Sequence, residues 1–142
     1  MTSNLDRFRA IDDAYNARDW NAYSALLDET FRGWMQGEAA PQGKTEHVRD
    51  AKMFCTTSAD NRVYNAPYIV ALSDGEWTCT IARLGGTMTG PLPTSEDKVL
   101  KPTNRPFDTS FATIARWVAG KIVEEYEFLD SAGVMRQIGA TK

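Results

Sequence analysis

Apolar residues recur at helical spacing in the first third of the chain and in strand-like alternation over much of the rest. Leu5, Phe8, Ile11 and Tyr15 fall three or four positions apart, which predicts an amphipathic helix over residues 4–17. Asp19 is suited to cap a second helix that turns Tyr23, Leu26 and Leu27 inward. Phe31 to Gln36 reads as a short extended piece carrying Trp34 and Met35, and the Gly- and Pro-containing stretch 37–43 reads as a loop. A third helix is expected from about Lys44 to Thr57, with Val48, Ala51, Phe54 and Cys55 on its inner side.

From Arg62 the period changes. Residues 62–73 are rich in Val, Tyr and Ile and end at Asp74-Gly75, a dipeptide suited to a hairpin whose two central residues take positive φ. Pro67 interrupts that run and marks an edge strand or a bulge, because proline brings no ladder donor. A Trp- and Thr-rich strand is expected over 76–89. Residues 90–106 hold Pro91, Pro93, Pro102 and Pro106 and read as the long loop of the chain, of a kind that often carries function. A strand over about 107–118, a tight turn at Ala119-Gly120 and a strand over 121–130 follow. Helices first and strands afterwards point to an α+β fold rather than βαβ units. At 142 residues the chain reads as one domain, 1–142.

Alternation in the last strand puts Ile122, Tyr126 and Phe128 on one face with Glu124 and Asp130. Val123 and Leu129 share the other with Glu125 and Glu127. A sheet apolar on both faces has to be covered on both. Helices cover one face, and a second copy of the chain is the expected cover for the other, a homodimer through the sheet. The alternative is that Tyr126 and Phe128 are isolated surface aromatics.

Composition removes several function classes. Hydrophobic residues make up 42% and charged residues 25%, an ordinary balance for a globular protein. The net charge of −3 is spread along the chain without a basic stripe, which argues against nucleic acid. No apolar run approaches the ~18 residues of a membrane span, and the first residues lack an apolar signal core, so a cytoplasmic location is expected. Cys55 and Cys79 stand in no CxxC pattern and read as core thiols. A single histidine, His47, excludes a zinc site built from several imidazoles. Gly85-Gly86 and Gly133 form no phosphate-binding pattern, and no GxSxG or Cys–His motif is present. None of these patterns points to a metal or cofactor.

Chemistry concentrates in the last strand. Glu127 and Asp130 are the first candidates, since a carboxylic acid in an apolar pocket has its pKa raised and can act as a general acid or base. The same acids also read as a solvated edge, with Asp130 capping the turn into Ser131–Gly133. His47, in the first turn of the third helix, is either a pocket base or an exposed helix-start side chain. Trp34, Trp77, Met35, Met53, Tyr15 and Phe111 either line a ligand cavity or form plain core.

One stretch goes further. Arg116-Trp117, Gly120-Lys-Ile-Val-Glu-Glu-Tyr126, Asp130, Gly133 and Met135-Arg-Gln-Ile-Gly139 together resemble the C-terminal signature of SnoaL-like polyketide (ester) cyclases. Ala14–Trp20, Gly43, Gly85–Pro91 and Pro102–Phe107 are also similar to that family. The resemblance implies the cone-shaped fold of nuclear transport factor 2, with three N-terminal helices packed in a strongly curved, mostly antiparallel sheet and a deep apolar pocket at one end. The family's cyclases close a polyketide ring by intramolecular aldol condensation without metal or organic cofactor. A pocket aspartate on the last strand takes the proton, and a histidine on the strand before it is associated with the site.

By that resemblance the aspartate falls on Glu127 and the histidine on Thr113, where no imidazole stands. If Gly120 centres a three-residue turn, Thr113 lies opposite Glu127, on a face that also holds Phe107, Phe111, Trp117, Val123 and Leu129. The expectation is a small, largely apolar, oxygen-bearing ligand, a single buried acid Glu127 as general acid or base, and Thr113 hydrogen-bonding the ligand or that acid. Trp34, Met53, Trp77, Phe111, Tyr15 and His47 are the expected ligand-binding residues. Asp130, on the opposite face, takes a structural role. A non-catalytic small-molecule carrier and a dimerisation module with a collapsed cavity are the competing readings.

Overall fold

The computed structural model describes residues 2–94 and 96–141. Ser95, inside the expected 90–106 loop, lies outside the described residues. Helix α1 (Asn4–Ala17) begins at a reciprocal cap. The Ser3 hydroxyl accepts from the Asp6 N–H at 3.1 Å, and the Asp6 carboxylate accepts from the Ser3 N–H at 3.2 Å. It ends where Arg18 turns left-handed at φ 59°. Asp19 caps α2 (Trp20–Ala25), its carboxylate accepting from the Ala22 N–H. Helix α3 (Lys44–Thr57) follows Gly43.

The strands are β1 (Leu27–Met35), β2 (Arg62–Tyr64), β3 (Val70–Asp74), β4 (Trp77–Thr87), β5 (Leu92–Pro93), β6 (Val99–Leu100), β7 (Pro106–Val118) and β8 (Lys121–Leu129). The main sheet runs β1-β8-β7-β4-β2, with β3 also pairing to β4. Only β1 and β8 run parallel among the paired strands, so the curved sheet is mixed but mostly antiparallel. Helices pack in its hollow, and the core between them gathers Phe8, Ile11, Leu27, Phe31, Trp117 and Ile122.

Several local expectations are corrected. The run 62–73 is two strands, split around the cis Ala66–Pro67 bond, and both halves pair with β4. The hairpin loop after β3 is Gly75-Glu76, since Asp74 already pairs with Trp77, and only Gly75 takes positive φ. The long loop carries a small ladder of its own, β5 on β6. A fourth helix, α4 (Ser131–Gln137), follows β8 among the described residues. Asp130 is its N-cap, accepting from the Gly133 N–H at 2.9 Å.

The ladder between β7 and β8 decides the site. Its turn is the two-residue Ala119-Gly120, at φ 51° and 80°, closed by Val118 opposite Lys121. That turn alone would put Thr113 and Glu127 one position out of register. A bulge at Val123 restores them, because Trp117 pairs with Ile122 and Arg116 with Glu124. Thr113 thus faces Glu127 through a two-residue turn plus a bulge, not a three-residue turn. The bulge also swings Ile122 inward, where it is fully buried, and not outward as simple alternation implies.

Candidate functional site

Between the three N-terminal helices and the concave sheet lies a cavity of about 440 Å³, within the range that suits a small ligand. Ile11, Ala51, Phe54, Leu84, Phe111 and Leu129 supply most of its apolar wall. Its deeper polar groups come from every layer around it: Asp12 and Tyr15 from α1, Tyr23 from α2, His47 from α3, Thr113 from β7, and Glu125 and Glu127 from β8. Exposed Glu38 and Ser131 and half-buried Asp50 stand at its outer margin. A shallower hollow bordered by Gln36 and residues 128–132 is open to solvent, and its one acid, Asp130, is engaged in capping α4.

The polar groups touch one another. The Tyr23 hydroxyl and His47 Nε2 are 2.9 Å apart, with the donor set by the imidazole tautomer, and the two rings lie parallel within 9°. His47 Nε2 stands 3.7 Å from Glu125 Oε1. Glu125 and Glu127 are two positions apart on the inward face, Glu125 opposite Ala115 and Glu127 opposite Thr113. Burial, and then the neighbouring Glu127 carboxyl, push the Glu125 acid well above the ordinary carboxylate range. Burial lifts the Asp12 acid to about 7, against the opposing pull of the Tyr68 hydroxyl, which donates to it at 2.6 Å. The Tyr23 phenol is held well above its ordinary value by the same desolvation and by the acids around it. Such a set can exchange protons near neutral pH, because some acids keep their protons where exposed ones would not.

Of the residues singled out from the sequence, Glu127, Thr113, Phe111, Tyr15 and His47 line this cavity. His47 is buried at 6% exposure, which corrects the reading of an exposed helix-start side chain. Trp34, Met53 and Trp77 are not in the lining. Trp34 pairs with Tyr126 in the β1–β8 ladder and stacks on it on the far face of the sheet. Trp77 sits opposite Arg116 at the start of β4, and Met53 occupies the solvent side of α3.

The acid is also not single: Asp12 and Glu125 are buried beside Glu127. Both were within reach of the pattern. Asp12 lies four positions from Phe8 on the buried side of α1, and Glu125 shares the alternation of Glu127. Tyr23, expected as an apolar contact, is the partner of the imidazole. A donor set for a cation exists despite the lone histidine, since His47, Glu125 and Glu127 each place a ligand atom within 4.8 Å of the others. No helix among the described residues is long and apolar enough to cross a membrane.

Comparison with known proteins agrees with this architecture. The family model of the SnoaL-like polyketide cyclases matches residues 6–138. Among solved structures, AclR from Streptomyces galilaeus, described as a candidate hydroxylase, superposes with a TM-score of 0.83 at 12% identity, over 97% of this chain and 82% of its own. IdmH from Streptomyces antibioticus, described as a candidate polyketide cyclase, gives 0.80 at 18% identity, over 96% and 99%. A protein of ketosteroid isomerase-like fold from Catenulispora acidiphila, in complex with trimethylamine, gives 0.73 at 18% identity, over 94% and 92%. At these identities the likeness establishes the fold alone. No curated protein matches the sequence. The chain belongs to the SnoaL-like polyketide cyclase family.

Proposed function

We propose that this member of the SnoaL-like family carries out acid–base chemistry of the cyclase or isomerase type on a small, largely apolar, oxygenated molecule held in the 440 Å³ cavity. The observation that carries the reading is the pair Glu125 and Glu127, side by side on one face of β8 in an enclosed space, with burial holding a proton on Glu125. Two carboxyls whose environments differ divide acid and base roles between them.

In this reading Glu127 takes a proton from the carbon next to a substrate carbonyl, and the electron pair moves onto the carbonyl oxygen as an enolate. A neutral acid, Glu125 or Asp12, protonates that oxygen or hydrogen-bonds to it. Reprotonation at a different carbon is an isomerisation. Attack of the enolate carbon on a second carbonyl, with protonation of the new alkoxide, is an aldol ring closure. Thr113, across the ladder from Glu127, is placed to hydrogen-bond the ligand or the acid. The Tyr23–His47 pair supports Glu125 from the helix side. This scheme invokes no metal or organic cofactor.

The test is deuterium wash-in. Aryl ketones and 1,3-dicarbonyl compounds are incubated with the protein in D2O, and loss of the α-proton signal is followed by NMR. The account expects wash-in by the native protein, abolished in Glu127→Gln, with probe binding retained. Wash-in unchanged in Glu127→Gln rejects its role as base. Binding of the same probes without any wash-in supports a carrier protein instead.

A further inference from the structure

The charges around the cavity are one-sided. Asp12, Glu38, Asp50, Glu125 and Glu127 all line it, while no lysine or arginine does so among the described residues. Arg49, itself outside the lining, pairs with Asp50 at 3.5 Å, whereas the pairs of Arg83 with Asp108 and of Arg116 with Glu76 and Glu124 lie away from the cavity, so the inner acids have no arginine partner among the described residues. Interior acids ordinarily keep a guanidinium or ammonium for company, since an uncompensated buried charge is costly. Here Glu125 is 4% exposed and receives no hydrogen bond from any N–H among the described residues. Its one basic neighbour, His47 Nε2, stands 3.7 Å away, beyond hydrogen-bond reach, and is already engaged with Tyr23. What remains to it is the carboxyl of Glu127, another acid. The site therefore gathers acids that burial keeps protonated, with no lysine or arginine in its lining among the described residues to let them ionise.

We propose that the substrate carries a basic nitrogen, bound as an ammonium that donates to Glu125, Glu127 and Asp12 while its apolar body rests on Phe54, Phe111 and Leu84. This rests on the reading of the cavity as the substrate site and adds the substrate class. An ammonium brings three donors and the positive charge that allows these acids to ionise against it. Tyr15, Tyr23 and Phe111 present aromatic rings to the same space, which further favours a cation. Exposed Glu38 at the margin draws cations toward the opening and turns anions away. A carboxylate or phosphate ligand would bring a further negative charge beside these clustered acids, and a neutral alcohol supplies none of the positive charge that would let them ionise.

The experiment uses three probes of one shape, 4-phenylbutylamine, 4-phenylbutanol and 4-phenylbutanoate, titrated calorimetrically into chelator-treated protein at constant pH and salt. The amine is expected to bind at least about tenfold more tightly than the alcohol, a gap of about 1.4 kcal/mol, with no detectable binding of the carboxylate. Glu125→Gln with Glu127→Gln should bring the amine down to the affinity of the alcohol and leave the alcohol unchanged. If the double variant does not fold, Glu125→Gln alone should reduce the amine preference at least threefold. Alcohol binding as tight as amine binding, or an amine preference that survives the variants, overturns the proposal and leaves the acid–base reading standing. Stoichiometric Mn2+ binding that excludes the amine also overturns it, by assigning His47, Glu125 and Glu127 to a metal. Failure of all three probes to bind overturns the cavity as a substrate site as well.

Discussion

Replacing Asp12 by Asn should make the protein gain stability relative to the native chain as pH rises. Asp12 is 7% exposed in the cavity wall, and burial lifts its acid from 3.8 to about 7. The folded state thus holds this proton more tightly than the unfolded chain. The stability this contributes is fully present below about 3.8 and is lost progressively as pH rises toward about 7. Linkage at about 1.36 kcal/mol per pKa unit gives roughly 4 kcal/mol over the whole window, of which about 2–3 kcal/mol falls between pH 5 and 8. Asn keeps an oxygen to accept from the Tyr68 hydroxyl and cannot ionise. Glu125 contributes a slope of the same sign that the variant retains. The exposed acids whose values are lowered, Asp6, Asp28 and Asp60 among them, act below this window.

The assay is urea unfolding of both proteins at half-unit steps from pH 5 to 8. The stability difference, variant minus native, should move in favour of Asp12→Asn by about 2–3 kcal/mol across that range. A difference that stays constant with pH would show that Asp12 ionises normally in the folded state and would refute the argument.

Other consequences are narrower. Asp130→Ala removes the cap of α4 and should cost about 1 kcal/mol in denaturant unfolding, with deuterium wash-in at the cavity unchanged. Gly33→Ala would set a Cβ 2.9 Å from the Phe31 ring and 3.5 Å from His47 Nδ1, so it should cost about 1–3 kcal/mol and shift the imidazole resonances of His47 in NMR spectra. We also propose that a second copy covers the far face of the sheet, where Trp34 and Phe128 stand exposed beside Tyr126. Light scattering should then give twice 15.8 kDa for the native chain and the single mass for Trp34→Glu with Phe128→Glu, whereas a monomeric native chain ends that proposal.

Much of this arrangement can be read before any coordinates, and the limits have physical causes. Helices α1 and α3 match their expected bounds because apolar spacing and the residues flanking them agree. The sequence also sets Thr113 opposite Glu127, although through a turn one residue too long, because the bulge at Val123 makes up the difference. Nothing in Lys121-Ile-Val-Glu marks that bulge, so simple alternation puts Ile122 on the wrong face. Strand alternation separates Trp34 and Tyr126 from Glu127 but does not say which set meets the helices, so the sequence alone admits Trp34 and Trp77 to a cavity they do not line. His47 reads as polar and near a helix start, and only the approach of Phe31 and Tyr23 from other elements buries it. Asp12 breaks an apolar helix face, and a buried acid there makes sense only once Tyr68 is known to donate to it.

The account turns on a proton held in the cavity at neutral pH. Its most direct measurement is a carbon-13 NMR titration of the side-chain carboxyls in protein labelled at glutamate Cδ, with Glu125→Gln used to assign the resonance. The account predicts that the Glu125 carboxyl keeps the chemical shift of a neutral acid after the exposed glutamates have ionised and titrates well above them. A Glu125 resonance that titrates with the exposed glutamates, in the ordinary carboxylate range, would contradict it.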